Sequence, residues 1–267
     1  MNAINTMSNK EYRQAEGLSS SDIKDILVNP YLFKMGIKPQ RTPQAQARLD
    51  FGSLIHCLIL TPQDLERDFC ILEQDLNLRT NKDKEFYAEL LAKEQRIIIP
   101  KSAFEKAQGI LSEFQKINIP FDFKQGVCER SYFSEIEGVK VKCRPDCIFE
   151  KEGIIVDLKT TRENGATPDE FQRAVANFGY YIQASHYMKI TGVKSFYFLA
   201  IDIENVSVGI YELDFVSLEF GDSEIKRAID IYKNIDSVTP ILSKPSTSEG
   251  IAQILTLPNY CFYKNQQ

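Results

Sequence analysis

The sequence predicts a mixed α/β (α+β) protein, in which helices flank a central mixed β-sheet and a helical part precedes the strands. Three observations predict this fold class. Segments typical of strands recur between Val127 and Leu213, a long helical pattern runs from about Pro168 to Ile190, and the chain before Val127 shows mainly helical periodicity. The order β-β-β-α-β-β followed by a helix fits one sheet covered by helices.

Composition is that of a globular protein. The 267 residues (30.6 kDa) suffice for a substantial core, and we expect a single domain over residues 18–267. Hydrophobic residues at 43% and charged residues at 26% exclude wholesale disorder. The net charge of −5 argues against a generally basic surface, so any contact with DNA needs a local groove, several subunits or metal ions.

Cysteine usage and hydropathy predict a soluble, cytoplasmic protein. The cysteines form no Cys-x-x-Cys pair, which is typical of reduced thiols rather than of zinc or iron-sulfur ligands. The first seventeen residues lack an apolar signal core and no later run reaches membrane-spanning length, so we expect no membrane partner. The six cysteines are Cys57, Cys70, Cys128, Cys143, Cys147 and Cys261.

The N-terminal part, residues 18–125, is predicted to be helical and to follow a flexible tail over residues 1–17. A helix capped by the serines of residues 19–21 ends before Asn29-Pro30. A second helix, from Gln44 to Leu60, carries Gly52 one turn before His56, and the glycine would let another backbone approach closely. His56 is either a structural histidine or a ligand, and the remainder of this part, residues 61–125, reads as helical.

The predicted core, residues 126–267, begins at Val127 with a first strand over residues 129–133. A hairpin follows from Val139 to Thr161, with its turn around residues 151–153. If the two arms of this hairpin pair with each other, Asp146 lies beside Asp157, and Asp157 and Lys159 project to the same face. Two carboxylates about 4 Å apart repel by roughly 4 kcal/mol at an effective dielectric near 20, so a cation is expected between them.

A magnesium ion suits this arrangement. It prefers hard oxygen ligands and keeps positions open for water and a phosphate. Lys159 would then orient or help deprotonate the attacking water, which describes a phosphodiesterase site. The tripeptide Asp-x-Lys alone is weak evidence, because it also occurs at residues 22–24 and 122–124, where no apolar strand precedes it. The alternative at Asp157 is a solvated strand end.

The remaining elements complete the sheet and its cover. Within the helix from about Pro168 to Ile190, Tyr180, Gln183 and Tyr187 share one face, and a buried glutamine there would need a polar partner. Strands are expected over residues 195–201 and 206–213, then a helix over about residues 215–235 and a short tail containing Leu257-Pro258.

Four motifs occur in a fixed order along the chain: Gly52-x-x-x-His56, Arg144-Pro145-Asp146, Asp157-Leu158-Lys159-Thr160-Thr161 and Tyr180-x-x-Gln183-x-x-x-Tyr187. Together they resemble the PD-(D/E)XK nuclease superfamily. Within it, the sequence flanking the motifs is similar to the RecE-type nuclease domain of exodeoxyribonuclease VIII, and the similarity covers roughly Leu18 to Pro258.

The resemblance implies a restriction-endonuclease-like core and a 5′→3′ exonuclease on linear double-stranded DNA. It implies Mg²⁺, for which Mn²⁺ can substitute, with two ions per site, and 3′ single-stranded tails that serve a single-strand annealing recombinase. It further implies a ring-shaped homo-oligomer that threads the duplex.

The resemblance also assigns roles to residues. His56, Asp146, Asp157 and the Leu158 carbonyl would bind metal, Lys159 would serve the nucleophilic water, and Gln183 with Tyr187 would position the site or the strand end. Beside these carried-over roles, Glu129 is a further candidate for the cleft, against the alternative of a surface glutamate. Candidates for bidentate contact with a terminal phosphate are Arg144, Arg162 and Arg173.

Two other functions are open at this point. One is a nuclease of the same fold with a different use, such as a structure-specific or single-strand endonuclease. The other is a DNA-binding or assembly protein that has kept the fold without catalysis. The complete set His56, Asp146, Asp157 and Lys159 argues against the last.

Overall fold

The structure is a computed structural model that describes residues 2–4 and 7–240. Within this range, the strands are β1 (Asn2–Ile4), β2 (Phe69–Ile71), β3 (Ile97–Ile99), β4 (Val127–Cys128), β5 (Ser131–Ile136), β6 (Val139–Cys143), β7 (Cys147–Phe149), β8 (Ile154–Thr161), β9 (Ser195–Asp202) and β10 (Val208–Glu212). The helices are α1 (Asn9–Gln14), α2 (Ser20–Val28), α3 (Pro30–Lys34), α4 (Pro43–Leu60), α5 (Leu65–Asp68), α6 (Asn81–Lys93), α7 (Lys101–Phe114), α8 (Pro168–Phe178), α9 (Tyr180–Thr191) and α10 (Phe215–Lys233).

The central sheet has five strands in the order β10-β9-β8-β7-β4. Strands β8 and β9 run parallel, and the other pairs are antiparallel. A smaller sheet, β1-β5-β6, and a parallel pair, β2-β3, lie outside it. The predicted mixed α/β class with a central mixed sheet is confirmed.

Helices cover both faces of the central sheet, because β8 and β9 are apolar on both faces. Ile155 and Phe198 are buried in one cluster with residues of α2, α9 and α10, whereas Leu158 and Leu199 are buried in another with residues of α4 and α7. Continuous apolar strands of this kind are typical of the parallel centre of a sheet. Strand β8 therefore lies between the two clusters.

The predicted hairpin over residues 139–161 is correct in its second half and wrong in its first. Strand β7 pairs with β8, Cys147 opposite Val156, whereas Val139–Cys143 pairs with β5 in the smaller sheet. Continuing the β7–β8 register by one residue still places Asp146 opposite Asp157. The correction therefore leaves the expected meeting of the two carboxylates unchanged.

The predicted first strand, residues 129–133, is also divided. Glu129 has a positive φ of 54°, where L-residues are uncommon, and it separates β4 from β5. The pairing register is the same on both sides of Glu129, since Cys128 on β4 pairs with Cys147 on β7 and Tyr132 on β5 pairs with Cys143 on β6. One antiparallel hairpin thus bends from the smaller sheet into the central one, and Pro145, which has no N–H for a ladder, lies at the bend.

The N-terminal segment, predicted to be a flexible tail, contains β1 and α1. Ser8 caps α1 in a capping box with Glu11. The ammonium of Lys142 donates to the carbonyls of Tyr12 and Ala15 at 3.0 and 2.5 Å. Because Lys142 is buried, these carbonyls satisfy a charge that would otherwise be costly to bury, and the segment is held in place.

Three further expectations need correction or lie outside the described residues. Residues 61–125 contain the strands β2 and β3 as well as helices, because three-residue strands leave little periodic signal. The predicted helix from Pro168 to Ile190 is two helices, because Gly179 takes a left-handed φ of 61° between α8 and α9. The tail with Leu257-Pro258 is not among the described residues, and in the part that is described no helix has the length and apolarity to cross a membrane.

Candidate active site

The site forms where β8 extends beyond the end of β7. Strand β8 supplies Asp157 and Lys159, the bend before β7 supplies Asp146, α4 supplies His56, and α9 supplies Gln183. These are five of the residues that the sequence predicts for catalysis or metal binding, and the structure brings them together from four separate parts of the chain.

The side chain of Asp146 accepts a backbone hydrogen bond from β8 beyond the end of β7, where no backbone partner from β7 is present. One of its carboxylate oxygens accepts the N–H of Leu158 at 2.7 Å and lies 3.3 Å from Nδ1 of His56. In a strand, the N–H and C=O of one residue point to the same side. The Leu158 carbonyl therefore also points toward Asp146, past the end of β7.

Asp157 is fully buried and held by two side chains. Oδ1 accepts the amide of Gln183 at 2.7 Å, and Oδ2 is paired with the ammonium of Lys159. The Lys159 ammonium also lies 4.8 Å from the ring centroid of Tyr180, a cation–π contact. The predicted need of Gln183 for a polar partner is met by the carboxylate itself.

Burial controls the charges of the carboxylates. It raises the pKa of Asp146 to about 6, opposed by Lys159 and the Leu158 N–H. Burial also raises the pKa of Asp157 to about 6; Lys159 opposes this rise, and Asp146 adds to it. Both acids are ionised at neutral pH, but their negative charge is incompletely compensated by the protein.

The two nitrogen groups of the site differ in charge. Burial, and then the charge of Lys159, lower the pKa of His56 to about 4, so its imidazole is neutral and has a free lone pair at neutral pH. Burial disfavours the ammonium of Lys159, but Asp157 and Asp146 outweigh it and raise the pKa. Lys159 therefore remains a hydrogen-bond donor.

Glu129 lies beside the same carboxylates. Its backbone N–H donates to the carbonyl of Asp146 at 3.1 Å. Burial, and then the charge of Asp146, raise the pKa of Glu129 to about 8. Of the two alternatives that the sequence leaves open, these surroundings fit a residue of the cleft better than a solvated surface glutamate.

The remaining candidates lie further from the chemistry. Tyr187 is buried in the core, edge-on to Phe196, and burial followed by the charges of Tyr12 and Asp157 raises its pKa well above the ordinary value. The close approach predicted at Gly52 is made by a side chain, since an added Cβ would lie 3.0 Å from Oγ1 of Thr160.

The three arginines are already engaged with the protein. Nε and Nη2 of Arg144 donate to the Ser131 hydroxyl at 2.9 and 2.7 Å, so this edge of the guanidinium is not free for a phosphate. Arg162 and Arg173 are mostly exposed, and both pair with Glu170 on α8. The structure does not place Arg162 or Arg173 beside the carboxylates of Asp146 and Asp157.

Sequence reasoning missed Lys24 on α2. Its ammonium donates to the carbonyl of Phe178 at 3.1 Å. Phe178 precedes the Gly179 break and lies two residues before Tyr180, whose ring contacts Lys159. Burial, and then the charge of Lys159, lower the pKa of Lys24. No local signal marks this residue, because its place depends on how α2 packs against α9.

The donor set fits a hard divalent cation. It contains two carboxylates and a backbone carbonyl, which are ordinary ligands for such ions, beside a neutral imidazole, which is more usual on transition metals. As the side chains stand, no three His, Cys, Asp or Glu residues within 2–4 and 7–240 are in metal-binding geometry. In this arrangement the ammonium of Lys159 compensates part of the negative charge of Asp157. Because the pKa values of Asp146 and Asp157 remain raised, further positive charge at the site would stabilise their ionised forms.

The fold is that of the PD-(D/E)XK nucleases. The chain belongs to the family described as "PDDEXK-like domain of unknown function (DUF3799)", whose model matches residues 19–254. The search of curated proteins found no match.

A solved structure shares the fold, and two others have a lower similarity. A "Putative exonuclease" from Eubacterium rectale is 17% identical with a TM-score of 0.59, and the match covers 92% of this chain and 99% of that one. An alkaline exonuclease from Laribacter hongkongensis is 13% identical with a TM-score of 0.30, covering 86% and 95% of the two chains. A phage-related exonuclease from Haemophilus somnus 129PT is 14% identical with a TM-score of 0.34, covering 85% and 98%. The last two are too distant in backbone to support an argument.

Proposed function

We propose that this nuclease is a Mg²⁺-dependent 5′→3′ exodeoxyribonuclease that degrades linear double-stranded DNA and leaves 3′ single-stranded tails. The observation that carries the proposal is the meeting of Asp146, Asp157 and Lys159 at the end of β7, with two incompletely compensated carboxylates beside an ammonium. Substrate and polarity rest on the resemblance of the four ordered motifs to RecE-type nucleases.

Each residue has a role in this proposal. Asp146, Asp157, the Leu158 carbonyl and neutral His56 would hold Mg²⁺ or Mn²⁺, two ions in all. The metal would supply Lewis-acid stabilisation of charge on the phosphate. Gln183 fixes the carboxylate of Asp157 through its hydrogen bond.

Lys159 acts as a donor in this mechanism rather than as a base, because its pKa is raised. Its ammonium would orient the attacking water and stabilise the negative charge that develops on the phosphate oxygens. The water's proton must then pass to another group, and the carboxylates of the site are the nearest acceptors. Glu129 and Tyr187 would shape the cleft around them.

The same proposal covers partners and location. An acidic chain can still bind a duplex if several subunits form a ring around it and metal ions neutralise part of the phosphate charge. We therefore propose a homo-oligomeric ring in the cytoplasm that passes its 3′ tails to a single-strand annealing recombinase.

The test is a time course on linear duplex labelled at one 5′ or one 3′ end, with and without Mg²⁺. We expect release of the 5′ label first, no cleavage without the metal, partial rescue by Mn²⁺, and resistance of covalently closed circles. Cleavage of the circles would instead identify an endonuclease, and binding without cleavage under every metal condition would identify a DNA-binding protein.

Matched variants separate the site from the fold. Lys159→Met should abolish release, whereas Lys124→Met, in another Asp-x-Lys tripeptide on an exposed turn, should leave it unchanged. Far-ultraviolet circular dichroism of both variants checks that they fold. Undiminished release by Lys159→Met would contradict the proposed chemistry.

A further inference from the structure

Two thiols meet across the edge of the central sheet. Cys128 on β4 and Cys147 on β7 are direct partners in the strand register, and their sulfur atoms are 3.0 Å apart. Both are free cysteines. They lie next to the site, since Glu129 follows Cys128 and Asp146 precedes Cys147.

The register gives this pair the geometry of a cross-strand disulfide. The neighbouring pair is joined by a backbone hydrogen bond from Glu129 to Asp146, so Cys128 and Cys147 occupy the adjacent, non-hydrogen-bonded position. Residues at such positions have Cα atoms about 4.5 Å apart, with their side chains closest together. That separation lies within the range of about 4.4 to 6.8 Å that disulfides span.

The surrounding packing favours the meeting of the two sulfurs. A Cβ atom at Gly126 would collide with the sulfur of Cys147, so the glycine makes the space that this sulfur fills. Cys147 is fully buried, whereas Cys128 is partly exposed at the edge strand. A small oxidant would therefore reach Cys128 first, with Cys147 as the second thiol.

The remaining cysteines of the described part of the chain lack this arrangement. Cys57 is on α4, and its sulfur donates to the carbonyl of Thr61 at 3.4 Å. Cys143 is buried in the smaller sheet opposite Tyr132, and Cys70 lies on β2. Within residues 7–240, only the pair at β4 and β7 has two sulfurs in contact.

We propose that Cys128 and Cys147 form a site of reversible oxidation, at which hydrogen peroxide produces a disulfide between β4 and β7. Peroxide first converts the Cys128 thiol to a sulfenic acid and releases water. The Cys147 thiol then attacks the Cys128 sulfur, forms the S–S bond and displaces a second water. One peroxide is reduced and the two thiols are oxidised, and a dithiol reductant reverses the change.

The test maps the bond by mass spectrometry after limited exposure of the native protein to hydrogen peroxide. Remaining thiols are alkylated and the protein is digested with trypsin, which places Cys128 in peptide 125–130 and Cys147 in peptide 143–151. We expect these peptides to be linked, with the loss of two hydrogen atoms, and to separate after reduction.

Cys143 shares the second peptide, because trypsin does not cleave the bond before Pro145, so the bond is assigned in two independent ways, by variants and by fragmentation. The link should persist in Cys143→Ser and disappear in Cys128→Ser, and fragmentation of the wild-type peptides should place it at Cys147 without any variant. Recovery of both peptides unlinked, or a bond from Cys128 to Cys143, would overturn the proposal. The readout is a covalent bond, so the result is independent of DNA cleavage.

Discussion

Replacing Asp157 by asparagine should stabilise the metal-free protein while abolishing nuclease activity. Asparagine keeps the shape of the side chain and an oxygen for the Gln183 amide, but it removes a negative charge that is fully buried. The amide N–H group that replaces Oδ2 faces the Lys159 ammonium, which we expect to turn toward its other neighbours, Asp146 and the ring of Tyr180. The buried negative charge that the proposed chemistry requires is thus expected to destabilise the folded protein when no metal is bound.

The expected gain in stability follows from the pKa of Asp157. Raising the pKa of Asp157 from 3.8 to about 6 penalises its ionised form in the folded state by about 3 kcal/mol, since each pH unit corresponds to about 1.4 kcal/mol. Because the folded state binds the proton more tightly, this penalty is absent below pH about 4, grows as the pH rises, and is complete above pH about 6. At neutral pH the variant should be more stable by up to about 3 kcal/mol.

The assay is denaturant or thermal unfolding in a chelator at neutral pH, repeated with Mg²⁺. In a protein of this size, 1 kcal/mol corresponds to about 2 to 4 °C in the unfolding midpoint. The variant should melt higher than wild type in the chelator. Mg²⁺ should raise the midpoint of wild type but have little effect on that of the variant.

Asp202 provides the matched control, because it is also fully buried but its charge is satisfied. Burial raises the pKa of Asp202, but backbone N–H groups of Asn205, Glu204 and Asn164 outweigh it and lower the pKa. Asp202→Asn would turn an N–H group toward those donors and should lose stability. If Asp157→Asn melts below wild type in the chelator, the ion pair with Lys159 outweighs burial and the reasoning is wrong.

Three further outcomes follow from the same geometry. At subsaturating Mg²⁺, the nuclease rate on linear duplex should fall as the pH drops through about 6, where Asp146 and Asp157 of the metal-free protein take up protons; a pH profile that stays flat through this range would contradict their proposed role. Gln183→Leu removes a donor to Asp157 and should move this acid limb to higher pH, so an unmoved limb would show that the hydrogen bond does not tune the carboxylate. Because the charge of Lys24 interacts with those of Lys159 and Asp157, we expect its ammonium to contact a phosphate of DNA bound at the site. Lys24→Met should therefore weaken DNA binding severalfold and reduce the salt dependence of log K by about 0.9, whereas Lys34→Met, whose ammonium also bonds backbone carbonyls, should not; equal effects of both would assign Lys24 a structural role.

Local sequence patterns predict the centre of the fold well. The capped helix at Ser19, the apolar strand before Asp157 and the turn before Ile154 are all encoded within a few residues, and the structure contains each of them. Because a short hairpin leaves little freedom in register, the meeting of Asp146 and Asp157 follows from the sequence alone. The same holds for Gln183, which shares one helix face with Tyr180 and Tyr187.

Other features depend on partners that are distant in the chain. The bend at Glu129 and Pro145, which moves one hairpin between two sheets, has no local signal apart from the proline. The N-terminal segment is held by Lys142, whose buried ammonium needs carbonyl acceptors from α1 and the residues after it. The sequence around Lys142 does not reveal the acceptors, and the N-terminal sequence does not reveal the donor, because these hydrogen bonds form only after the two segments meet.

The sequence by itself determined the acidic pair, the adjacent lysine and the class of sheet that carries them, because short-range pairing and apolar periodicity fix those features. Only the tertiary structure decided that Lys24 lies near the site and that Cys128 meets Cys147. Those contacts depend on how helices pack on the sheet and on where a hairpin bends, and the free energy for both comes from burial summed over the whole core.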